Sequence, residues 1–252
     1  MTRPNSHPTL NRGPQARSRP PLPAGAFPTP VRPNLLARSP FELRQTLRLR
    51  AALEKVLAAV LLVATAPVLL ACLLLVRCTS RGPALYRQQR VGRLGRVFTI
   101  YKIRTMYHEC ESFTGPRWST PGDPRVTGVG KVLRALHLDE LPQLVNVLRG
   151  EMSLIGPRPE RPEIAEKLKQ AIDGYDARVV LKPGVSGFAQ VHLPPDSNLT
   201  SVRNKLALDL YYLRRFSVWF DLKIMACTGL KMFGLFRKKG LAALPAEPEA
   251  VV

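Results

Sequence analysis

At 252 residues the chain is long enough for one domain of ordinary size with appendages, and its formal charge of +20 calls for an anionic partner. Nucleic acid, an anionic lipid surface and a polyphosphorylated small molecule all meet that demand, and charge alone does not choose among them. The four cysteines (Cys72, Cys78, Cys110, Cys227) have no C-x-x-C spacing, so neither a zinc site nor a disulfide framework follows from them.

Residues 1–40 hold ten of the 24 prolines, with Arg, Ser, Thr and Asn between them. Such a leader buries too little apolar surface to offset its ordering entropy and is expected to be disordered. Leucines then alternate with Arg44, Arg48 and Arg50, a basic amphipathic lead-in suited to a membrane surface. The first apolar run begins near residue 56, behind this basic leader, so no cleavable signal peptide is expected and the catalytic part is placed in the cytoplasm.

Residues 56–76 are twenty-one in a row without a charge, bounded by Lys55 and Arg77. Length and hydropathy alone read this as a single transmembrane helix. Two details redirect the reading. Pro67 stands in the middle, where it removes a helix hydrogen bond and favours a kink. Both flanks are also arginine-rich, and the positive-inside bias then draws both ends to the cytoplasmic side. A re-entrant helical hairpin broken at Pro67 satisfies both.

Leu85-Tyr86 and residues 97–101 are β-rich, with Gly92 and Gly95 as turn signals between them. Apolar spacing predicts a helix over residues 131–148, stopped by Arg149-Gly150. Another helix is expected over 159–170, and Lys182-Pro183-Gly184-Val185 reads as a turn. Residues 205–239 mix aromatic with basic residues and suit one or two helices lying in the membrane interface, packing on a soluble core being the alternative. The fold expected is α+β and mostly helical. Its parts are a disordered leader (1–40), a membrane-associated re-entrant region (41–80), a compact cytoplasmic catalytic domain with short strands and interfacial amphipathic helices (81–239), and a flexible tail (240–252).

The residues with the most chemical content are Asp139 and Glu140. Pro142 tolerates only the first turn of a helix, so a helix boundary falls near Asp139, where the positive end of the helix dipole would keep a carboxylate ionised. An ionised aspartate can attack phosphorus, and a neighbouring glutamate can hold Mg²⁺, which takes one or two protein carboxylates together with phosphate oxygens. The same residues also suit a plain N-cap and a first-turn charge. Lys102, Arg104, Arg134 and the proline-flanked Arg158 are the candidate anion binders. No G-x-x-x-x-G-K-[ST] loop or dinucleotide fingerprint occurs, and the four histidines have no metal or triad spacing.

The chain resembles the bacterial sugar transferases, or monotopic phosphoglycosyl transferases, from about residue 53 to 236. The resemblance runs in order through Tyr86-Arg87-Gln88-Gln89-Arg90-Val91-Gly92, Tyr101-Lys102-Ile103-Arg104-Thr105-Met106, Leu138-Asp139-Glu140-Leu141-Pro142-Gln143-Leu144, Met152-Ser153-Leu154-Ile155-Gly156-Pro157-Arg158-Pro159, Lys182-Pro183-Gly184-Val185-Ser186-Gly187-Phe188-Ala189-Gln190-Val191 and Leu208-Asp209-Leu210-Tyr211-Tyr212. It implies transfer of a sugar 1-phosphate from a UDP-sugar to undecaprenyl phosphate at the inner membrane, initiating a surface glycan. It further implies Asp139 as nucleophile through a phosphosugar-enzyme intermediate, Glu140 as Mg²⁺ ligand, Arg158 as phosphate binder, and a site position for Asp209. Substrates and membrane lipids are then the partners, no nucleic acid is expected, and homodimerisation is left open.

The chain departs from the family pattern in three places. Ala66-Pro67 replaces the frequent Ser-Pro, His137 stands where a Ser or Thr is common, and His192-Leu193-Pro194-Pro195 replaces Asn-Gly-Arg. The last removes an expected arginine and motivates one alternative, a catalytically inactive scaffold in a glycan-assembly complex. A membrane-tethered protein that binds nucleic acid or lipid through its basic charge is the other. The expected form is the small one, without an additional multi-spanning N-terminal domain.

Overall fold

The computed structural model describes residues 40–111, 115, 118–120 and 122–232, with side chains from residue 47 onward. The proline-rich leader and the tail at 240–252 therefore lie outside the described residues.

Helix α1 (Pro40–Thr79) is one element of 40 residues with Pro67 inside it rather than between two helices. Residues Leu47–Thr79 are long and apolar enough to cross a membrane. Two separate stretches of α1 rest on the rest of the protein. Ala58, fully buried, joins the main core with Leu144 and Val147, while Cys72 and Val76 pack with Ile103 and Leu133. Between them Val60, Leu61, Val63, Val68 and Leu70 are exposed. Pro67 has no N–H to offer the carbonyl of Val63. Two residues before Pro67, the Thr65 hydroxyl donates to the carbonyl of Leu61 at 2.7 Å, a back-bond of the kind that bends helices.

Strands β1 (Leu85–Val91) and β2 (Val97–Ile103) form an antiparallel hairpin in the register Leu85↔Ile103 to Val91↔Val97. Of the buried residues of β2, Phe98 and Ile100 face the main core and Ile103 joins Cys72, Val76 and Leu133, and the turn puts Leu94 in the left-handed region at φ 55°. The helix expected over 131–148 is divided. Helix α2 (Gly128–Ala135) is capped by the Thr127 hydroxyl, and a 3₁₀ turn (Leu138–Glu140) follows before α3 (Gln143–Arg149). The break is at His137, whose φ of 55° no helix accommodates. Gly150 closes α3 in the left-handed conformation at φ 78°, as the Arg149-Gly150 stop predicts.

Strand β3 (Ser153–Ile155) pairs in parallel with β4 (Gly184–Ser186). The expected turn at 182–185 is thus partly strand, because Gly184 lacks a side chain and lets two backbones meet. A β-carbon there would stand 2.1 Å from the amide nitrogen of Gly156. Between these strands lie α4 (Pro162–Ala171) and a 3₁₀ segment (Tyr175–Val180).

The chain continues through α5 (Phe188–His192), α6 (Leu199–Arg215) and α7 (Val218–Met232). Helix α6 buries Val202, Leu206, Leu208, Tyr212 and Leu213, so it is a core helix rather than an interfacial one. Helix α7 buries Asp221 and Ile224 and exposes Val218, Trp219, Leu222 and Leu230. Arg50 of α1 ties these parts together. It pairs with Asp221 at 2.8 Å and Glu54 at 3.1 Å, and donates to the carbonyl of Ile155 at 2.7 Å and the hydroxyl of Tyr212 at 3.0 Å. Removing one member of so buried a group costs about 3–5 kcal/mol, since the remaining charge is left unpaired.

Candidate active site

Asp139 lies in the 3₁₀ turn between α2 and α3 and is buried, with 8% of its surface exposed. It makes no hydrogen bond or ion pair among the described residues. Burial pushes its carboxyl above the ordinary range, against the pull of Lys102, Arg134 and Arg158, and Glu140 pushes in the same direction as burial. The expected helix dipole is not the dominant influence on this carboxyl. A three-residue turn carries little dipole, and desolvation outweighs the nearby cations.

Glu140 is held quite differently. Its Oε1 accepts from Lys102 Nζ at 2.9 Å and from Arg158 Nη2 at 2.7 Å. Burial alone would raise this carboxyl, but Arg158 and Lys102 outweigh it and hold Glu140 well below the usual carboxylate range. Lys102 is nonetheless lowered, because burial and the neighbouring Arg158 cost it more than its half share of one carboxylate returns. Adjacent carboxylates are thus pushed in opposite directions, one toward its proton and one away from it.

Arg134 approaches Asp139 electrostatically while its guanidinium donates to Thr105 Oγ1 and Ser119 Oγ, both at 2.8 Å. Arg104 does not join the site. It faces the end of α1, donating to the carbonyls of Arg81 at 2.5 Å and Ser80 at 2.8 Å. Asp209 is set back from the carboxylate pair and bonds to Arg178 at 2.7 Å. Pro67 belongs to the exposed middle of α1. The structure therefore gathers Lys102, Asp139, Glu140 and Arg158, brings Arg134 alongside, and leaves Arg104, Asp209 and Pro67 outside.

A carboxylate without a side-chain partner thus stands beside one clamped by two cations. The bacterial sugar transferase family matches residues 45–234. The chain belongs to that family.

Among its relatives, the UDP-N-acetylgalactosamine-undecaprenyl-phosphate N-acetylgalactosaminephosphotransferase of Aeromonas hydrophila is 43% identical over 63% of this chain and 37% of its own length. The UDP-glucose:undecaprenyl-phosphate glucose-1-phosphate transferase of Escherichia coli is 41% identical over 73% of this chain and 40% of its own. The protein of the same name from Caulobacter vibrioides is 43% identical over 70% of this chain and 66% of its own. The chain thus spans between about a third and two thirds of the length of these relatives.

The family resemblance implies Mg²⁺, and the carboxylates gathered here are compatible with it. Among the described residues no three His, Cys, Asp or Glu side chains converge. Mg²⁺ needs only one or two carboxylates when phosphate and water complete its shell. Both cation contacts to Glu140 fall on Oε1, which leaves Oε2 outside those bonds.

The residues that sequence reasoning missed hold Arg158 and the proline that follows it. Gln190 Oε1 accepts from Arg158 Nη1 at 2.8 Å, Arg178 donates to the Arg158 carbonyl at 2.9 Å, and Arg90 donates to the Pro159 carbonyl at 3.1 Å. Gln190 falls in a motif quoted above and could have been found; Arg178 carries no sequence signal. Where the family pattern has Asn-Gly-Arg, His192 instead lies against Phe188 in a tilted ring contact, centroids 4.4 Å apart, and Lys231 of α7 donates to the carbonyl of Gln190 at 2.7 Å.

Proposed function

We propose that this protein transfers a sugar 1-phosphate from a UDP-sugar to undecaprenyl phosphate, giving a polyprenyl diphosphate-linked sugar and UMP. The observation that carries the reading is the buried, unpartnered carboxylate of Asp139 next to the Lys102–Glu140–Arg158 cluster. The printed activities of the relatives supply the substrate class.

In this reading an Asp139 oxygen attacks the sugar-proximal phosphorus. The bond from that phosphorus to the bridging oxygen breaks, and UMP leaves with the electron pair. The sugar phosphate is then held on Asp139 as an acyl phosphate. A phosphate oxygen of undecaprenyl phosphate attacks the same phosphorus, and the bond to Asp139 breaks, restoring the carboxylate. The desolvation that raises the Asp139 carboxyl also strengthens it as a nucleophile once it is ionised. Lys102 and Arg158, which rest on Glu140, are placed to turn onto the phosphate oxygens of an arriving diphosphate. Glu140 would hold Mg²⁺, which would supply charge neutralisation for the phosphates.

The same proposal puts α1 in the inner membrane as a re-entrant segment, with the catalytic part on the cytoplasmic face. Its support is that both ends of the apolar stretch rest on one body, Ala58 on the main core and Val76 on Ile103 and Leu133, while the residues around Pro67 are exposed. A helix perpendicular to the bilayer would carry one of those ends away.

The deciding experiment is release of UMP from a panel of UDP-sugars by membranes containing the protein, with Mg²⁺ and undecaprenyl phosphate. Release with one donor, lost on chelation and in Asp139→Asn, is expected. No release with any donor, from folded and membrane-bound protein, would overturn the reading in favour of a scaffold.

A further inference from the structure

We propose that Lys55 and Lys182 form a cradle for the phosphate of an anionic membrane lipid, separate from the site around Asp139; this rests on the membrane attachment proposed above. The two ammoniums converge on Gly150, where a β-carbon would lie 3.5 Å from Lys182 Nζ and 3.9 Å from Lys55 Nζ. Neither lysine makes a hydrogen bond or an ion pair among the described residues. Two cations held together without an anion repel each other, and their donors are unspent.

The nearby carboxylates do not neutralise them. Glu54 is engaged by Arg50 at 3.1 Å and by the Ser153 hydroxyl at 2.5 Å, and Glu151 accepts from Asn146 at 2.7 Å. Burial lowers the Lys182 ammonium; Glu54 opposes this, and Lys55, Arg93 and Arg50 add to it. Attraction to the carbonyl end of α3 helps to bring the lysines there, but the last turn is already closed by the Gly150 amide on the Val147 carbonyl at 2.9 Å.

The surroundings select a lipid. Lys55 is flanked on α1 by exposed Leu53 and Val56, and Arg93 is followed by exposed Leu94 at the tip of the β1–β2 hairpin. A cationic floor with an apolar rim suits a headgroup whose acyl chains run along the rim. The donor and acceptor of the transfer reaction belong elsewhere, since α3 puts roughly 10 Å of helix between Gly150 and the turn that carries Asp139.

The test uses the full chain in dodecyl maltoside micelles, titrated with dioctanoyl phosphatidylglycerol, with bound lipid counted by native mass spectrometry. The double variant Lys55→Gln/Lys182→Gln is compared with Lys167→Gln/Arg203→Gln, which removes the same charge from exposed positions elsewhere. The first is expected to bind about 25-fold more weakly, roughly fivefold per cation, and the second to change little. Equal losses in both would mean that net charge alone attracts the lipid and would overturn the cradle, as would no loss in the first.

Added inorganic phosphate should displace the lipid more than chloride of equal ionic strength. Equal displacement would remove the phosphate assignment. UMP release in the same micelles should be unchanged in Lys55→Gln/Lys182→Gln. Its loss would make these lysines part of acceptor binding and overturn a separate site, whereas failure of the unsubstituted protein to release UMP bears only on the proposed activity.

Discussion

Arg178 donates to the backbone carbonyl of Arg158 at 2.9 Å, so the guanidinium that clamps Glu140 is itself held in place by a second, buried guanidinium. Arg178 is fixed in turn by Asp209 at 2.7 Å and by the Tyr175 hydroxyl at 2.6 Å. Arg178→Lys keeps a cation beside Asp209 but loses the planar fork that reaches three partners at once. Turnover is expected to fall roughly 10–100-fold through loss of Arg158 placement. A variant that folds and turns over normally would mean that Arg158 does not depend on this tether.

The raised carboxyl of Asp139 sets a pH dependence. Attack needs the ionised form, so turnover should rise with pH through a value above the ordinary aspartate figure of about 3.9. Lys102 favours the ionised form, so Lys102→Met should move that rise to higher pH. A pH–rate profile displaced to lower pH, or not at all, would contradict the electrostatic account.

The same shift carries a stability consequence. A folded-state value above the unfolded one means that Asp139 favours folding below about pH 4 and that this contribution is lost as pH rises through the raised value. Asp139→Asn should therefore abolish UMP release and yet unfold at a higher temperature than the unsubstituted protein near neutral pH. A lower unfolding temperature would show that the carboxylate is stabilising where it stands.

Gly184→Ala should cost about 2–4 kcal/mol, because its β-carbon would fall 2.1 Å from the Gly156 amide nitrogen and pry apart β3 and β4. Gly128→Ala, where a β-carbon meets nothing within 4 Å, is the matched control and should be near neutral. Chemical or thermal unfolding of the pair in detergent reads the difference directly.

Cysteines introduced before Phe41 and after Lys239 should label only from the cytoplasmic side. Labelling of the two from opposite sides would replace the re-entrant segment with a span.

Much of the site was legible because its residues are close in sequence or carry distinctive neighbours. Asp139 and Glu140 are adjacent, and Pro157 and Pro159 mark Arg158 as rigidly held. Lys102 and Arg104 could not be told apart by the same reasoning. They differ by two positions in and beyond β2, yet Lys102 reaches Glu140 while Arg104 turns to the carbonyls that end α1. The break at His137 was equally hidden, since apolar spacing runs on through it. Asp139 was read as a helix-terminal charge because burial, which raises its carboxyl, depends on packing that no local pattern encodes. The β3–β4 pairing joins segments about thirty residues apart, and only the missing side chain of Gly184 hinted at it.

Leu138 packs on the buried cluster that Cys72 and Val76 of α1 form with Ile103 and Leu133, and the next residue is Asp139. Asp139 is therefore linked to the apolar helix through this shared cluster. If α1 lies in a bilayer as proposed, a change in its tilt or depth would be passed through that cluster to the Asp139 carboxylate, making lipid thickness a mechanical input to the proposed site.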